Sequence, residues 1–293
     1  MIESVDLLFR NQVHSWPRLA RGVEGLAHAQ TRPVHIDWFD IFIRHIPHRV
    51  ASTTAAVDRE SVAKRPCFLC NGNLDPEERG VEFDQNYTIY CNPFPIVNRH
   101  LTIVHRNHGL QHIAGEAGVM LDLASALPGY FVIYNGPECG ASAPDHMHFQ
   151  AGSNELFPIG KDLAGVRDVA VRNYARNLFM FRGNDRSRLI EQINRVVDVL
   201  STITRKRPEP LINIAVSYEQ LRWTVFLFPR GKHRPHVFHT GELTVSPASI
   251  DLCGIFVVPL EKDFVRITGD DIASIFREVT LSDDIFNEVA AGI

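Results

Sequence analysis

The chain has 293 residues, enough for two average domains or one large one, and 45% of them are hydrophobic, so a sizeable core can form. Its 30 basic and 34 acidic residues give a formal net charge of −4, which leaves no positive surplus for nucleic acid or anionic membranes. No apolar run approaches the roughly 18 residues that span a bilayer, and the first residues lack the pattern of a secretory leader. Five cysteines, an odd number, argue against a disulfide scaffold. We therefore expect a cytoplasmic protein that binds neither nucleic acid nor membranes.

Hydrophobic periodicity and turn residues predict a mixed order of helices and strands. The predicted helices are 5–13, 110–127, 186–204 and 268–279, the last one capped by Thr268. The predicted strands are a pair within 38–55 around Pro47, then 87–91, 100–104, 130–134, 145–151, 211–217, 223–228 and 252–258. Because strands and helices do not alternate regularly, this order favours an α+β architecture.

Two segments of the chain share a weak internal similarity. Residues 100–108 and 223–233 each read as a strand that runs into a basic turn ending in histidine. Chance produces such matches readily, but a true repeat would make the chain two copies of one unit. Only the first copy would then keep the cysteine pair and the His-x-His motif.

The strongest local signal is the run Asp145-His146-Met147-His148-Phe149-Gln150. In a strand, the period of two puts His146, His148 and Gln150 on one face, with Met147 and Phe149 in the core. Two histidines at this spacing serve as two metal ligands, or as one ligand and one free imidazole that attacks an electrophile such as phosphorus. The motif alone leaves open a pair of exposed strand histidines.

A second signal is the pair Cys67-x-x-Cys70, followed by Asn71-Gly72. Such a pair is a zinc half-site, a redox pair or an accident of sequence, and the flanking Pro66 and Asn71-Gly72 favour a zinc knuckle. A tetrahedral zinc site needs two further ligands, for which His108 and His146 are the candidates. The remaining cysteines lie beside apolar runs and are expected to be buried small hydrophobes: Cys91, Cys139 and Cys253.

Between these signals lies a turn of small residues, 134–142, which leads directly into the histidine motif. Its backbone amides, next to Asn135 and with the Ser142 hydroxyl, are suited to hold phosphate oxygens. A glycine-containing turn is weak evidence alone, and its value comes from its position before His146.

Together these residues resemble the transferase branch of the histidine-triad superfamily. That branch contains galactose-1-phosphate uridylyltransferase, diadenosine tetraphosphate phosphorylase and the GDP-hexose phosphorylases, which carry Gly-x-Ser before His-x-His-x-Gln. The run 148–151 and the stretches 245–254 and 282–286 are most similar to the GDP-hexose phosphorylases, while the cysteine pair is similar to zinc-binding uridylyltransferases. The whole pattern also resembles a bacterial group in this branch without an assigned activity.

The resemblance implies a fold and a role for each matching residue. It implies two related histidine-triad-like halves with antiparallel sheets flanked by helices, the catalytic half over 1–160 and a degenerate half over 161–293 that completes the substrate pocket. His148 would be the nucleophile, and Gln150 and Ser142 would hold the phosphates. Structural zinc would bind Cys67, Cys70, His108 and His146. Asn92 and Phe94 would line the nucleoside pocket, Asn135 would be a further substrate-binding residue, and Arg49 would meet phosphate unless it is a surface strand arginine.

The implied reaction is nucleotidyl transfer through a nucleoside monophosphate on His148. The donor would be a nucleotide sugar or a dinucleoside polyphosphate, and the acceptor phosphate or a sugar phosphate. Basic groups such as Arg49, Arg230 or Lys232 would offset the phosphate charge. Relatives of this type are often dimers, so a homodimer is also expected.

Departures from the family pattern narrow this expectation. One extra residue between Ser142 and His146, and Met147 in place of proline, disfavour uridylyl transfer to galactose phosphate. Gln150 replaces the third histidine of the short triad hydrolases and disfavours simple hydrolysis. Two alternatives remain at this stage, a nucleotide-binding or sensing protein without turnover and a nucleotide hydrolase.

Overall fold

The computed structural model describes the backbone of residues 1–293 and the side chains of 1–58 and 60–293. Its helices are α1 (Ile2–Ser15), α2 (Pro17–Ala27), α3 (Val50–Thr53), α4 (Arg59–Ala63), α5 (Ala117–Ala126), α6 (Pro158–Asp162), α7 (Arg186–Thr204), α8 (His236–His239), α9 (Ser249–Leu252), α10 (Glu261–Arg266), α11 (Gly269–Val279) and α12 (Asp283–Ala291). Its strands are β1 (Gln30–Ile36), β2 (Phe39–His45), β3 (Gly80–Glu82), β4 (Tyr87–Cys91), β5 (Leu101–His105), β6 (Tyr130–Asn135), β7 (His148–Ser153), β8 (Ala170–Val171), β9 (Leu178–Gly183), β10 (Ile212–Glu219), β11 (Arg222–Pro229) and β12 (Ile255–Val258).

A nine-stranded sheet runs through the molecule in the order β3-β4-β5-β7-β6-β10-β11-β9-β8. All its neighbouring strands are antiparallel, and at its middle β6 pairs with β10, with Asn135 opposite Asn213. A second sheet holds β1, β2 and β12, in which β2 is antiparallel to β1 and parallel to β12. The predicted α+β class is confirmed.

The strand order of the large sheet repeats around the β6–β10 pair. On one side, β5 leads through α5 to β6 and β7, and β7 pairs with both β5 and β6. On the other side, β9 leads through α7 to β10 and β11, and β11 pairs with both β9 and β10. In this repeat β5 corresponds to β9, so the similarity between 100–108 and 223–233, which relates β5 to β11, does not follow the structural repeat.

The two equivalent hairpins differ in their connections. Residues 136–147 join β6 to β7 and contain the small-residue turn and His146. Gln220 and Leu221 alone join β10 to β11, with φ angles of 50° and 61° that fit a tight hairpin turn. Only the first hairpin therefore has a loop long enough to build a site.

Separate hydrophobic clusters cover the two faces of the large sheet. Phe149 and Ala151 of β7 belong to the cluster formed with α5 and α7. Ile133, the cross-strand partner of Gln150, belongs to the opposite cluster, which includes the small sheet and α11. Because side chains alternate along a strand, His148 and Gln150 point away from the α5–α7 face.

Several predicted elements are confirmed by these boundaries. Helix α7 covers 186–204, the predicted helix 5–13 lies within α1, and α11 follows Thr268, whose side chain accepts a hydrogen bond from the Asp271 amide. Predicted strands at 87–91 and 130–134 match β4 and β6. No helix of the described chain combines the length and apolar character needed to cross a bilayer.

Four other predictions are wrong in part. The strand pair around Pro47 does not form, because β2 pairs with β1 instead and 47–53 turns into short helices. The predicted helix 110–127 begins only at Ala117, and the predicted strand 252–258 begins only at Ile255, after α9. The predicted strand 145–151 begins only at His148, which changes the position of His146.

Candidate active site and metal centre

The four predicted metal ligands come together in space. The Cys67 Sγ lies 3.3 Å from the His146 Nδ1, and the Cys70 Sγ lies 3.3 Å from the His108 Nδ1 and 3.6 Å from the His146 Nδ1. All four ligand atoms lie within 4.8 Å of one another. Two thiols and two imidazoles at these separations form a cluster that can hold one metal ion.

His146 is oriented for this cluster by a hydrogen bond on its other side. Its Nε2 lies 2.6 Å from the His105 carbonyl oxygen, which only accepts, so Nε2 carries the proton and Nδ1 offers a lone pair to the thiols. The His146 amide also donates to the Ala143 carbonyl, which closes a turn before β7 begins. The prediction that His146 shares a strand face with His148 and Gln150 is therefore wrong, and its ring faces the Cys67, Cys70 and His108 side chains instead.

His148 begins β7 and is 3% exposed. Its Nδ1 lies 2.8 Å from the His146 carbonyl oxygen, so Nδ1 carries the proton and donates to it. The Nε2 has no hydrogen-bond partner among the described residues, and the side chain lines the main cavity. Burial lowers the pKa of His148 to about 4, so an unprotonated Nε2 with a free lone pair faces the cavity at neutral pH.

Gln111, which no sequence motif marks, fixes the backbone around His148. Its Oε1 accepts from the His148 amide at 2.8 Å, and its Nε2 donates to the carbonyls of Asn135 and His148 at 2.9 and 3.0 Å. One buried amide thus ties the end of β6 to the start of β7. No local pattern distinguishes this glutamine from a surface residue.

Gln150 contacts His100, a second residue that the sequence analysis left without a role. The His100 Nδ1 accepts from the Ile96 amide at 3.3 Å, so its Nε2 carries the proton and donates to the Gln150 Oε1 at 2.9 Å. Because this contact occupies the amide oxygen, the Gln150 NH2 group is the end left for the cavity. Burial, aided by the nearby Arg49 charge, lowers the pKa of His100 to about 3.

Asn135 is held in place at the end of β6. Its Oδ1 accepts from the Asn213 Nδ2 and from the Ser249 amide, both at 2.9 Å. The Ser249 hydroxyl donates to the Tyr134 carbonyl at 2.7 Å. Residues from β10 and α9 therefore position a side chain that the sequence analysis assigned to substrate binding.

The proposed phosphate contacts of Arg230 and Lys232 are wrong. Arg230 is 1% exposed, does not line the cavity, and uses its guanidinium on the Asn213 side chain and on four backbone carbonyls, those of Lys232, His233, Pro247 and Val279. Lys232 lies at the surface and pairs with Glu278 at 2.9 Å. The turn after β11 points both side chains away from the cavity.

The predicted catalytic and substrate-binding residues line one cavity of about 650 Å3. They are Arg49, Asn92, Phe94, Asn135, Ser142, His148 and Gln150. The volume lies within the range of small-molecule and cofactor pockets. The chain therefore brings these residues together around one space, as the sequence analysis expected of a shared site.

Asn92, Phe94 and Arg49 belong to one edge of this cavity. Asn92 uses its side chain locally, accepting from the Phe94 amide at 2.9 Å and donating to the Thr102 hydroxyl at 3.0 Å. The Phe94 ring is 38% exposed, with the Arg18 guanidinium 4.9 Å from its centre. Arg49 donates to the Phe94 carbonyl at 3.2 Å. Burial lowers the pKa of Arg49 to about 10, which leaves it charged at neutral pH.

The C-terminal part of the chain supplies a wall that the sequence analysis missed. His233, Arg234, Ser246 and Asp251 line the same cavity. Arg234 donates to the Ser246 hydroxyl at 3.1 Å and to the carbonyls of residues 53 and 55 at 2.9 and 2.8 Å. Burial raises the pKa of Asp251 to about 6, although both its oxygens accept backbone hydrogen bonds.

A second cavity of about 1130 Å3 adjoins the first. It is bordered by the predicted metal ligands Cys67, Cys70 and His108, and by residues of α4. The two cavities share Ala56, Val57, Arg65, His233 and Arg234 as lining residues.

Comparison with known families accounts for nearly the whole chain in two parts. Residues 8–153 match the model of a domain of unknown function, DUF4922, and residues 153–293 match the model described as "GDPGP1-like, C-terminal domain". No curated protein sequence matches the chain.

Solved structures of yeast Ap4A phosphorylase Apa2 have the same overall fold. The complex with Ap4A superposes with a TM-score of 0.67 at 15% sequence identity, covering 96% of this chain and 99% of that one. The complex with AMP gives 0.62 at 16% identity, covering 94% and 96%. A further Apa2 structure gives 0.63 at 16% identity, covering 94% and 97%.

The chain therefore combines a DUF4922 part with a GDPGP1-like part, and as a whole it has the fold of yeast Ap4A phosphorylase. These matches support the resemblance of the motifs to the family of galactose-1-phosphate uridylyltransferase, Ap4A phosphorylase and the GDP-hexose phosphorylases, and the C-terminal part of the chain matches the GDPGP1-like domain.

Proposed function

We propose that the protein is a nucleotidyltransferase of the phosphorylase type, which acts on a nucleotide sugar or a dinucleoside polyphosphate. The observation that carries this proposal is the state of His148. Its Nδ1–H donates to the His146 carbonyl at 2.8 Å, which leaves Nε2 free on the cavity that Gln150 also lines. The fold shared with a phosphorylase that binds Ap4A and AMP supports the choice of substrate class.

In the first half-reaction, the His148 Nε2 attacks the α-phosphorus of the donor. A nitrogen–phosphorus bond forms while the bond from phosphorus to the bridging oxygen breaks, and the leaving phosphate takes the electron pair without needing a proton. The product is a nucleoside monophosphate on His148. The His146 carbonyl stabilises the positive charge that develops on the imidazole, because it accepts from Nδ1–H throughout.

Charge on the α-phosphoryl oxygens must be offset by donors that are already oriented. The Gln150 NH2 group is one, because His100 occupies its oxygen. Arg49 supplies a formal positive charge at the same cavity, and the Ser142 hydroxyl and the amides of the turn before His146 supply further donors. Oriented donors of this kind favour the transition state because they need no reorganisation during the reaction.

In the second half-reaction, an oxygen of inorganic phosphate or of a sugar phosphate attacks the same phosphorus. The nitrogen–phosphorus bond breaks and His148 recovers its neutral state. Phosphate would yield a nucleoside diphosphate, and a sugar phosphate would yield a nucleotide sugar. This ping-pong order requires the first leaving group to depart before the acceptor binds.

We also propose that the Cys67, Cys70, His108 and His146 cluster holds a structural zinc ion. Zinc bonds of about 2.3 Å to sulfur and 2.0–2.1 Å to nitrogen give sulfur–nitrogen separations of about 3.6 Å in a tetrahedron. The three separations in the cluster, 3.3, 3.3 and 3.6 Å, are close to that value. With four protein ligands the ion would brace the turn at His146, and through its carbonyl would help to hold His148.

The division of the chain into a catalytic half, 1–160, and a degenerate half, 161–293, is part of the same proposal. Two features support it, the repeated strand order around the β6–β10 pair and the short turn at Gln220 and Leu221 in the second hairpin. The second half would complete the pocket through residues such as Arg234 and Asp251.

The test is product analysis on a panel of dinucleoside polyphosphates and nucleotide sugars, with and without inorganic phosphate. Nucleoside diphosphate formed only when phosphate is present would support a phosphorylase. Monophosphate released without phosphate would identify a hydrolase, and tight nucleotide binding without any product would identify a binding protein. His148→Ala should lower turnover by at least about 1,000-fold, whereas His14→Ala, an exposed histidine in α1, should not change it.

A further inference from the structure

The cavity contains four guanidinium groups, and they differ in their counter-charges. Arg18 pairs with Asp75 at 3.0 Å, and Arg65 pairs with Asp145 at 3.1 Å. Arg49 and Arg234 form no salt bridge with any described side chain and donate to carbonyl and hydroxyl oxygens only. Neither cation therefore has a direct carboxylate contact, but the charge of the buried Asp251 acts on Arg49, whereas no carboxylate acts on Arg234. Arg234 is thus the more available contact for an anionic ligand.

These two groups lie at different parts of the cavity. Arg49 contacts the 94–96 turn, whose Ile96 amide donates to His100, the residue that holds Gln150. Arg234 lines both the first and the second cavity, at their shared boundary, whereas His148 and Gln150 line only the first. Arg49 therefore lies near Gln150, which is proposed to donate a hydrogen bond to the α-phosphate. Arg234 lies where the first cavity meets the second.

The proposed reaction requires a second anion site in the cavity, besides the one that holds the α-phosphate. In phosphoryl transfer the nucleophile and the leaving oxygen are roughly in line, so the leaving phosphate departs on the side of phosphorus away from His148. After it departs, the acceptor phosphate must attack from that same side. One subsite therefore has to receive the leaving phosphate and then the acceptor phosphate.

We propose that Arg234 binds this phosphate dianion, and that the second cavity is the route by which the acceptor reaches it. Its Nη1 has no hydrogen-bond partner among the described residues and remains available for a phosphate oxygen, while Nε and Nη2 are held by Ser246 and the 53–55 backbone. His233 and Ser246 lie beside it on the same wall. The ligand class is a phosphate dianion, either free or as the terminal group of a hexose phosphate, and the proposal rests on the proposed function.

The experiment separates the acceptor site from the α-phosphate site. The full-length protein is loaded with a nucleotide donor, freed of excess donor, and discharged with increasing inorganic phosphate or with hexose 1-phosphate, while the adduct is followed by intact mass. Binding of nucleoside monophosphate to the unloaded protein is measured in parallel, because that ligand carries nothing beyond the α-phosphate. Wild type, Arg234→Met, Arg234→Lys and Arg49→Met are compared.

Arg234→Met should raise the acceptor concentration for half-maximal discharge by on the order of tenfold or more, with both acceptors, and leave nucleoside monophosphate binding within about twofold. Arg49→Met should instead weaken monophosphate binding. Arg234→Lys should lie between wild type and Arg234→Met in discharge, since it keeps the charge but not the planar donor set. Lys232→Ala, which removes a surface cation outside both cavities, should discharge with wild-type acceptor dependence.

Unchanged acceptor dependence in Arg234→Met would overturn the proposal. So would an equal weakening of monophosphate binding in Arg234→Met and Arg234→Lys, which would mean that Arg234 acts only by holding the 53–55 backbone. Failure of wild type to form any adduct is a different result and would contradict the proposed function instead. Comparing the two acceptors at saturation tells whether free or esterified phosphate is the better ligand.

Discussion

The Nε2 of His100 donates to the Oε1 of Gln150 at 2.9 Å, and this contact decides which end of the Gln150 amide faces the cavity. The assignment depends on Ile96, whose amide occupies the other ring nitrogen of His100. His100, which belongs to no sequence motif, thus orients Gln150, which belongs to the His-x-His-x-Gln motif. His100 is a positioning residue in this account.

Replacing His100 with phenylalanine should slow transfer by roughly tenfold or more, because the Gln150 amide loses the partner that fixes its orientation. His100→Gln keeps a donor near the same place and should recover part of the rate. Steady-state kinetics on the preferred donor would show the loss mainly in kcat, since nucleoside contacts are untouched. Equal activity of wild type and His100→Phe would refute this role for His100.

The stability of the protein should fall in mild acid partly because of His100. Burial, followed by the Arg49 charge, lowers its pKa from 6.5 to about 3, so protonation favours the unfolded chain. The stabilisation from neutral His100 is complete above pH 6.5 and is lost as pH falls from 6.5 toward 3. Denaturant unfolding should show that wild type loses about 2 kcal/mol more than His100→Gln between pH 7 and pH 5. Parallel pH profiles for the two proteins would contradict this prediction.

Metal content should depend on both thiols of the cluster. Protein purified without added metal should contain about one zinc ion per chain, and Cys67→Ser should contain well under one. Cys91→Ala is the matched control, because Cys91 is a buried thiol of β4 outside the cluster. Elemental analysis decides the matter, and an unchanged metal content in Cys67→Ser would exclude this cluster as the site. Thermal unfolding of Cys67→Ser should also occur at a lower temperature.

Arg230 should prove to be a stabilising residue. Its guanidinium is buried and meets the Asn213 side chain and four carbonyls, so Arg230→Met should lower the free energy of unfolding by about 3–5 kcal/mol. Lys232→Ala removes one surface ion pair and should change the free energy of unfolding by less than about 1 kcal/mol. Chemical denaturation compares them directly. If the Arg230→Met protein were as stable as wild type but bound phosphate more weakly, Arg230 would be a phosphate contact and not a stabilising residue.

Motif spacing pointed to the Cys–His cluster and to His148 and Gln150, because these residues lie in short local patterns, whereas Arg49, Asn92 and Phe94 were predicted from the family resemblance. The Cys67-x-x-Cys70 pair and the His146-x-His148-x-Gln150 run each have a spacing that chemistry requires. The prediction that His146 lies on the same strand face as His148 and Gln150 was wrong, because β7 begins only at His148, after a turn at Ala143.

The residues that support the site act through distant contacts and leave no local pattern. Gln111 bonds to a backbone group 37 positions away, and His100 reaches Gln150 across 50. Arg230 and Arg234 belong to one irregular turn after β11, where no strand or helix period tells which side chain points to the cavity. The second hairpin lacks a site loop for a visible reason, because Gln220 and Leu221 close it directly.

The covalent intermediate on His148 is the central claim, and peptide mapping of a donor-treated protein tests it most directly. The protein is mixed with each donor without phosphate, quenched at neutral or alkaline pH, digested and analysed by mass spectrometry. We expect the mass of one nucleoside monophosphate on the peptide that contains His148, on His148 itself, and its disappearance when phosphate is added before the quench. Modification of another residue, or turnover of a donor with no adduct at His148, would contradict the account.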